Sequence, residues 1–151
     1  MTSWPLPEMM ARALELAREA ALAGEVPVGA VVARGGVVLG EGYNLTRRDS
    51  DPVAHAEIVA IRQAATRLGS ERLSGCDLFV TLEPCAMCAG AIAHARVARL
   101  YYGASDPKGG GVEHGARVFE HKQSLHRPEI YPGIGEGEAA ALLKEFFAAR
   151  R

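Results

Sequence analysis

Residues 77–102, Asp-Leu-Phe-Val-Thr-Leu-Glu-Pro-Cys-Ala-Met-Cys-Ala-Gly-Ala-Ile-Ala-His-Ala-Arg-Val-Ala-Arg-Leu-Tyr-Tyr, decide how this chain folds. Asp77 to Leu82 is a short apolar segment rich in β-forming residues and reads as a strand. Pro84 then opens a helix running from about Cys85 to Ala95, since proline fits the first helical position, where its missing N–H costs nothing. Val97 to Tyr102 reads as another strand.

Working outward, the same alternation continues. Upstream, Pro5-Leu6-Pro7 leads into a helix in which Met10, Ala13, Leu14, Ala17 and Ala21 recur at three- and four-residue spacing, and Gly24 marks its stop. Pro27 to Ala33 is Val-rich, Gly35-Gly36 signals a hairpin, and Val37-Val38-Leu39 continues the strand pattern. Residues 43–53 are polar and read as a loop. A helix is expected over Ala54 to Leu68, with Ile58, Ile61, Ala65 and Leu68 on one face and Gly69 after it. Downstream, residues 103–114 form a loop containing Gly103, Gly109, Gly110 and Gly111. Arg117-Val118-Phe119 begins a short helical piece. Glu138 to Arg150 is a final helix striped by Ala139, Leu142, Leu143, Phe146 and Phe147. Strands alternating with helices imply an α/β protein with helices packed on a mainly buried sheet.

The composition agrees with a globular domain. Of 151 residues, 48% are hydrophobic and 23% charged, which excludes disorder, collagen and a disulfide scaffold. The length predicts one domain over 1–151. No apolar run approaches the ~20 residues of a membrane span, and Met1-Thr2-Ser3-Trp4-Pro5 lacks the basic start and apolar stretch of a signal peptide. A cytoplasmic location without membrane attachment is therefore expected. The net charge of −1 builds in no long-range pull on a polyanion, so any nucleic-acid binding must use a local basic surface. Three cysteines, Cys76, Cys85 and Cys88, argue against a disulfide framework. Cys76 reads as a small core or strand-edge residue.

Cys85 and Cys88 form a C-x-x-C pair, which serves either redox chemistry or metal binding. At a helix start the two sulfurs face one point, and the helix dipole favours thiolates. His55, which also precedes an expected helix, is the best third ligand. His and Cys donors suit zinc, and three protein ligands leave a position for water, as catalytic sites do. Zinc would lower the pKa of that water toward about 7. Glu57, two residues beyond His55, would take the water's proton and deliver it to a leaving group. A thioredoxin-like dithiol would not explain His55 or Glu57. A structural zinc would need a fourth ligand, and only Cys76 is spare. H-x-E followed by P-C-x-x-C is the signature of zinc nucleobase deaminases.

At these residues the chain resembles the bacterial tRNA-specific adenosine deaminases, of the cytidine-deaminase-like fold. The match covers nearly the whole chain. Its parts are Glu25 to Val31, Gly40 to Asn44, Asp51 to Ile58, Thr81 to Ala91, Tyr101 to Asp106, and Phe146 to Arg150. The resemblance implies a three-layer α/β/α fold with a mixed, roughly five-stranded sheet. It implies one Zn2+ per subunit held by His55, Cys85 and Cys88, with Glu57 shuttling protons. Water would attack C6 of adenine and ammonia would leave, turning the wobble adenosine of an anticodon loop, in the family an arginine tRNA, into inosine. It further implies Asn44 and Val28 in the base pocket, Asp106 and Lys108 near the flipped nucleotide, and Phe147 and Arg150 near the RNA. Arg47 and Arg48 could contact phosphates. A homodimer is expected, with Met87, Ile92 and Ala93 of the apolar third helix as a candidate interface. The chain departs from the family pattern at Leu45, where members often carry a basic residue, and over 109–124. The competing readings are a deaminase of a free base or nucleoside such as guanine or cytidine, and an inactive zinc-stabilised RNA-binding subunit.

Overall fold

The computed structural model describes residues 6–150. The readings placed on Met1 to Pro5 lie outside the described residues. The elements follow in the order α1 (Glu8–Leu22), β1 (Gly29–Arg34), β2 (Val37–Tyr43), α2 (Ala56–Leu68), β3 (Asp77–Leu82), α3 (Ala86–Ala95), β4 (Arg99–Ala104), a 3-10 turn (Val118–Glu120), β5 (Glu129–Tyr131) and α4 (Glu136–Ala148). The five strands form one sheet in the order β2-β1-β3-β4-β5. β1 runs antiparallel to β2 and β3, whereas β3, β4 and β5 are parallel, so the sheet is mixed.

Side chains alternate across the pleat and build two cores. Ala30, Val32, Leu78, Val80, Leu100 and Tyr102 point toward α2 and α3. Val31, Ala33, Phe79 and Ala104 point toward α1 and α4. This is the three-layer α/β/α arrangement that the resemblance implied.

Two contacts let helices sit unusually close to the sheet. A Cβ at Gly29 would lie 2.0 Å from the Ala13 carbonyl oxygen of α1, and one at Gly40 would lie 2.2 Å from the Ala60 carbonyl oxygen of α2. This explains how α2 packs. The apolar stripe Ile58, Ile61, Ala65 and Leu68 is only partly buried, and the face against the sheet is Ala56, Ala60 and Ala64. A helix pressed onto glycines presents alanines, because larger side chains would hold it off.

Other boundaries shift. α2 starts at Ala56 rather than Ala54, β4 begins two residues later than expected, and α4 runs from Glu136 to Ala148 rather than from Glu138 to Arg150. The short β5 was not expected from its residues. Pro128 and Pro132 flank it, and its partner, β4, supplies the reason it is a strand. Cys76 is fully buried as expected, and burial pushes its thiol up. Ile92 and Ala93 lie on the buried face of α3, in the core, and are not free for an interface, while Met87 is exposed.

Candidate active site

The site lies where β3 and β4 end, paired at Leu82 and Ala104. Because β1 runs the other way, its approach, Val26 to Val28, arrives at the same edge. Ligands in α/β sheets bind in such crevices beyond the carboxyl ends of parallel strands. The cleft has a volume of about 330 Å³, and its walls include Val28, Asn44, His55, Glu57, Cys85 and Asp106.

Two helix starts make its floor. His55 is the residue before α2 and Cys85 the residue before α3, both in extended conformation. Neither caps its own helix with its side chain, which leaves the imidazole and the thiol free to point into the cleft. The exposed N–H at the start of α2 is instead satisfied by Asn44, whose Oδ1 accepts from the Ala56 N–H at 2.9 Å. Asn44 Nδ2 donates to the Val26 carbonyl at 3.1 Å. Asn44 therefore cross-links the β1 approach to α2 and keeps one amide hydrogen for a ligand.

The structure brings His55, Cys85 and Cys88 together. His55 Nδ1 lies 3.7 Å from Cys85 Sγ and 3.5 Å from Cys88 Sγ, and the three donor atoms fall within 4.8 Å of one another. These distances can be tested against a metal. A tetrahedral zinc with Zn–S of about 2.3 Å and Zn–N of about 2.0–2.1 Å has N···S edges of roughly 3.6 Å. The donor set fits such an ion. In the geometry described, hydrogen bonds from Cys88 and His55 bring the Cys85 thiol down to about 4, while the hydrogen bond to Cys85 and burial push its partner Cys88 up. His55 is raised, first by its hydrogen bond to Cys85.

Glu57 occupies the first turn of α2 and is 4% exposed. Burial raises its carboxyl to about 7, with the Cys85 charge adding to the effect. A carboxyl of that strength can exchange protons in either direction near neutrality.

The rim continues into an outer groove lined by Ser105, Asp106, Lys108, Leu143 and Phe147. Asp106 is partly committed to its own loop, since its Oδ1 accepts from the N–H groups of Lys108 at 3.3 Å and Gly109 at 2.9 Å. Phe147 is 48% exposed and is not core. Arg150 folds back on α4, its guanidinium 3.5 Å over the Phe146 ring and bonded to the Phe146 carbonyl. Arg47 and Arg48 are exposed, and Arg48 is paired with Asp49 at 2.9 Å.

Two buried carboxylates escaped the reading of the sequence. Glu25 accepts from the backbone N–H groups of Arg47 at 3.1 Å and Arg48 at 2.8 Å. Glu83 accepts from the loop after β4. Burial alone would raise Glu83, but its N–H and His114 partners bring it below the usual carboxylate value. The available signal was a glutamate set against apolar residues and prolines, as in Gly24-Glu25-Val26-Pro27 and Leu82-Glu83-Pro84.

A family model described as MafB19-like deaminase matches residues 6–151. A tRNA-specific adenosine deaminase of Agrobacterium fabrum is 52% identical over 142 residues, covering 94% of this chain and 93% of that protein. The chain belongs to the tRNA-specific adenosine deaminase family. The placement extends to structure. A solved chain from studies of A-to-I editing by tRNA:A34 deaminases at the wobble position of transfer RNA superposes with a TM-score of 0.88 at 52% identity. That superposition covers 89% of this chain and 98% of the other. The wider cytidine-deaminase-like fold includes a guanine deaminase from Nitrosomonas europaea, 26% identical, with a TM-score of 0.78 over 97% of this chain and 87% of that one.

Proposed function

We propose that this chain is a single-domain, zinc-dependent hydrolase that converts adenosine to inosine at the wobble position of a tRNA anticodon loop. The observation that carries this reading is the His55–Cys85–Cys88 triangle beside buried Glu57, at the floor of a cleft of nucleoside size. His55, Cys85 and Cys88 would hold one Zn2+ per subunit, which when bound activates water for attack. Glu57 accepts the proton of the attacking water as the new C6–O bond forms. It then passes that proton to the departing amino nitrogen, the C6–N bond breaks, and ammonia leaves. The proton left on the new C6 hydroxyl moves to ring nitrogen N1 as the carbonyl forms, so adenosine and water are balanced by inosine and ammonia. Asn44 and Val28 face the base, while Asp106, Lys108, Phe147 and Arg150 are assigned to the nucleotide and its neighbours.

The open outer groove supports an RNA substrate over a free nucleoside. An exposed phenylalanine beside a lysine, at the mouth of a cleft, suits the stacking of splayed bases in a hairpin loop. The relatives' tRNA specificity points the same way. An arginine tRNA, a homodimer and a cytoplasmic location complete the proposal. Among the described residues, no helix is long and apolar enough to cross a membrane.

The deciding experiment measures inosine in a short anticodon stem-loop with adenosine at the wobble position, against the same loop with that adenosine moved by one nucleotide. Inosine in the first loop alone is the expected result. Ammonia release from free guanine or cytidine, with neither loop edited, would replace this reading with a free-base or nucleoside deaminase, the alternative favoured by the guanine deaminase likeness. RNA binding by the metal-loaded chain without turnover of any of these substrates would make it an inactive RNA-binding subunit.

A further inference from the structure

Glu83 has no part in the chemistry above, yet it is among the most heavily bonded side chains described. None of its side chain is exposed. Oε2 accepts from the backbone N–H groups of Val112 at 3.2 Å, Glu113 at 3.0 Å and His114 at 3.1 Å. Oε1 accepts from the Asp106 N–H at 3.0 Å and lies 2.7 Å from His114 Nδ1. All five partners come from one loop, residues 106–114. The same loop is tied to the next residue along, since the Gly111 N–H donates to the Pro84 carbonyl at 2.8 Å.

The glycines of the loop take their meaning from this arrangement. A Cβ at Gly110 would lie 2.5 Å from the Glu83 carboxyl carbon, and one at Gly111 would lie 2.5 Å from the Ala86 nitrogen. Only bare backbone can wrap the carboxylate this closely. In return, the loop supplies Asp106 and Gly109 to the inner cleft and Lys108 to the outer groove. Without the carboxylate, four backbone N–H groups would lose their acceptor together.

We propose that Glu83 is a positioning residue that fixes loop 106–114 as the wall of the cleft, and that this wall determines how tightly the RNA loop is held. His114 is its auxiliary, closing the carboxylate from the solvent side. The proposal rests on the reading of the cleft as an RNA-editing site, but the anchor itself can be read without substrate.

The test uses Glu83→Gln and His114→Ala in the full, metal-loaded chain. Amide hydrogen exchange over 106–114, metal content, and kcat and KM on the anticodon stem-loop are measured for each. Glu83→Gln keeps one acceptor oxygen but replaces the other with an amide nitrogen that cannot accept, so it should keep its metal, speed exchange by about tenfold or more at Asp106 or at Val112 to His114, whichever faces that nitrogen, and raise KM by about tenfold with a smaller fall in kcat. His114→Ala keeps all four backbone bonds and should shift exchange and KM in the same direction by less. Wild-type exchange and KM in Glu83→Gln overturn the proposal. So does metal loss with undisturbed exchange, which would make Glu83 a support for Cys85 instead. If Glu83→Gln does not fold, His114→Ala decides alone, and unchanged exchange and KM sink the idea. A wild-type chain that edits no stem-loop removes the functional reading, while the exchange comparison still judges the anchor.

Discussion

The floor of the cleft and its rim are assembled from different kinds of contact. On the floor, His55 and Cys85 stand at the starts of α2 and α3, and Glu57 and Cys88 follow them by two and three residues within the first helical turn. Their relative positions come from helix geometry and from how the two helices lie on the sheet. On the rim, residues 45–51 and 106–114 have no regular structure, and each is held by one buried carboxylate, Glu25 or Glu83, from more than 20 residues away. Damage to the floor should therefore remove chemistry or metal. Damage to the rim should weaken binding and leave chemistry largely intact. The contrast can be broken or sharpened by substitution.

The largest effect belongs to Glu57→Gln. The amide fills the same buried space but cannot carry the proton. Turnover on the stem-loop should fall by about 10²–10⁴-fold or more, with metal content and KM little changed. Parallel losses of metal and turnover would show that Glu57 belongs to the ligand set. Next comes Cys88→Ala. Metal binding and folding are coupled through ligands that must be deprotonated, so bound metal and thermal stability should fall together. Treating the wild-type chain with a chelator should reproduce the loss of stability and add nothing in the variant. A fully loaded, active Cys88→Ala protein would exclude Cys88 as a ligand.

The same contrast explains what the sequence made legible. The floor could be read because its signals are local. A histidine and glutamate two apart, and cysteines three apart behind a proline, can be recognised without knowing what packs where. The alternation of helices and strands was equally legible from periodicity, including β3, whose predicted bounds, Asp77 to Leu82, are those observed. Features that depend on a distant partner were hidden. β5 is a strand only because β4 pairs with it, and nothing in Glu129-Ile130-Tyr131 announces that pairing. The closest-packed face of α2 was hidden for the same reason. Ile58, Ile61 and Leu68 outrank alanine in any hydrophobic pattern, but Gly40 and Gly42 on β2 draw the alanine face inward. Glu25 and Glu83 read as ordinary charges until the backbone that surrounds them is seen.

Gly40→Ala probes that hidden dependence from far outside the cleft. Its Cβ would meet the Ala60 oxygen at 2.2 Å and the Ala64 nitrogen at 2.8 Å, both backbone atoms that cannot swing away. α2 must shift, at a cost of about 1–3 kcal/mol. Thermal unfolding should drop by several degrees, roughly 2–4 °C per kcal/mol at this chain length. Because α2 carries His55 and Glu57, kcat should fall as well. A variant that unfolds earlier but keeps wild-type kcat would show that the floor tolerates movement of its helix.

Phe147→Ala tests the rim where no metal or proton is involved. The side chain is about half exposed and meets Phe146 edge to face at 5.4 Å, so its removal leaves the core intact. Stacking of a base on an aromatic ring contributes about 1–3 kcal/mol, so KM on the stem-loop should rise by about tenfold with kcat unchanged. An equal fall in kcat would place Phe147 nearer the reacting base than the groove suggests.

The smallest effect separates two neighbouring arginines on the other rim. Arg48 is already paired with Asp49, and an exposed pair of this kind has little charge to spare for a phosphate. Among the described residues the Arg47 guanidinium is tied only by a long bond of 3.4 Å to the Gly24 carbonyl, and Glu25 holds its backbone in place while leaving the guanidinium exposed. Arg47→Ala should therefore flatten the dependence of log KM on log salt by about 0.7, the amount for one contact to a single-stranded phosphate. Arg48→Ala should leave that slope unchanged. Equal slopes in both variants and the wild type would mean that this rim sets the shape of the entrance without touching the RNA backbone, which would leave Lys108 and the loop held by Glu83 as the side of the cleft that grips the substrate.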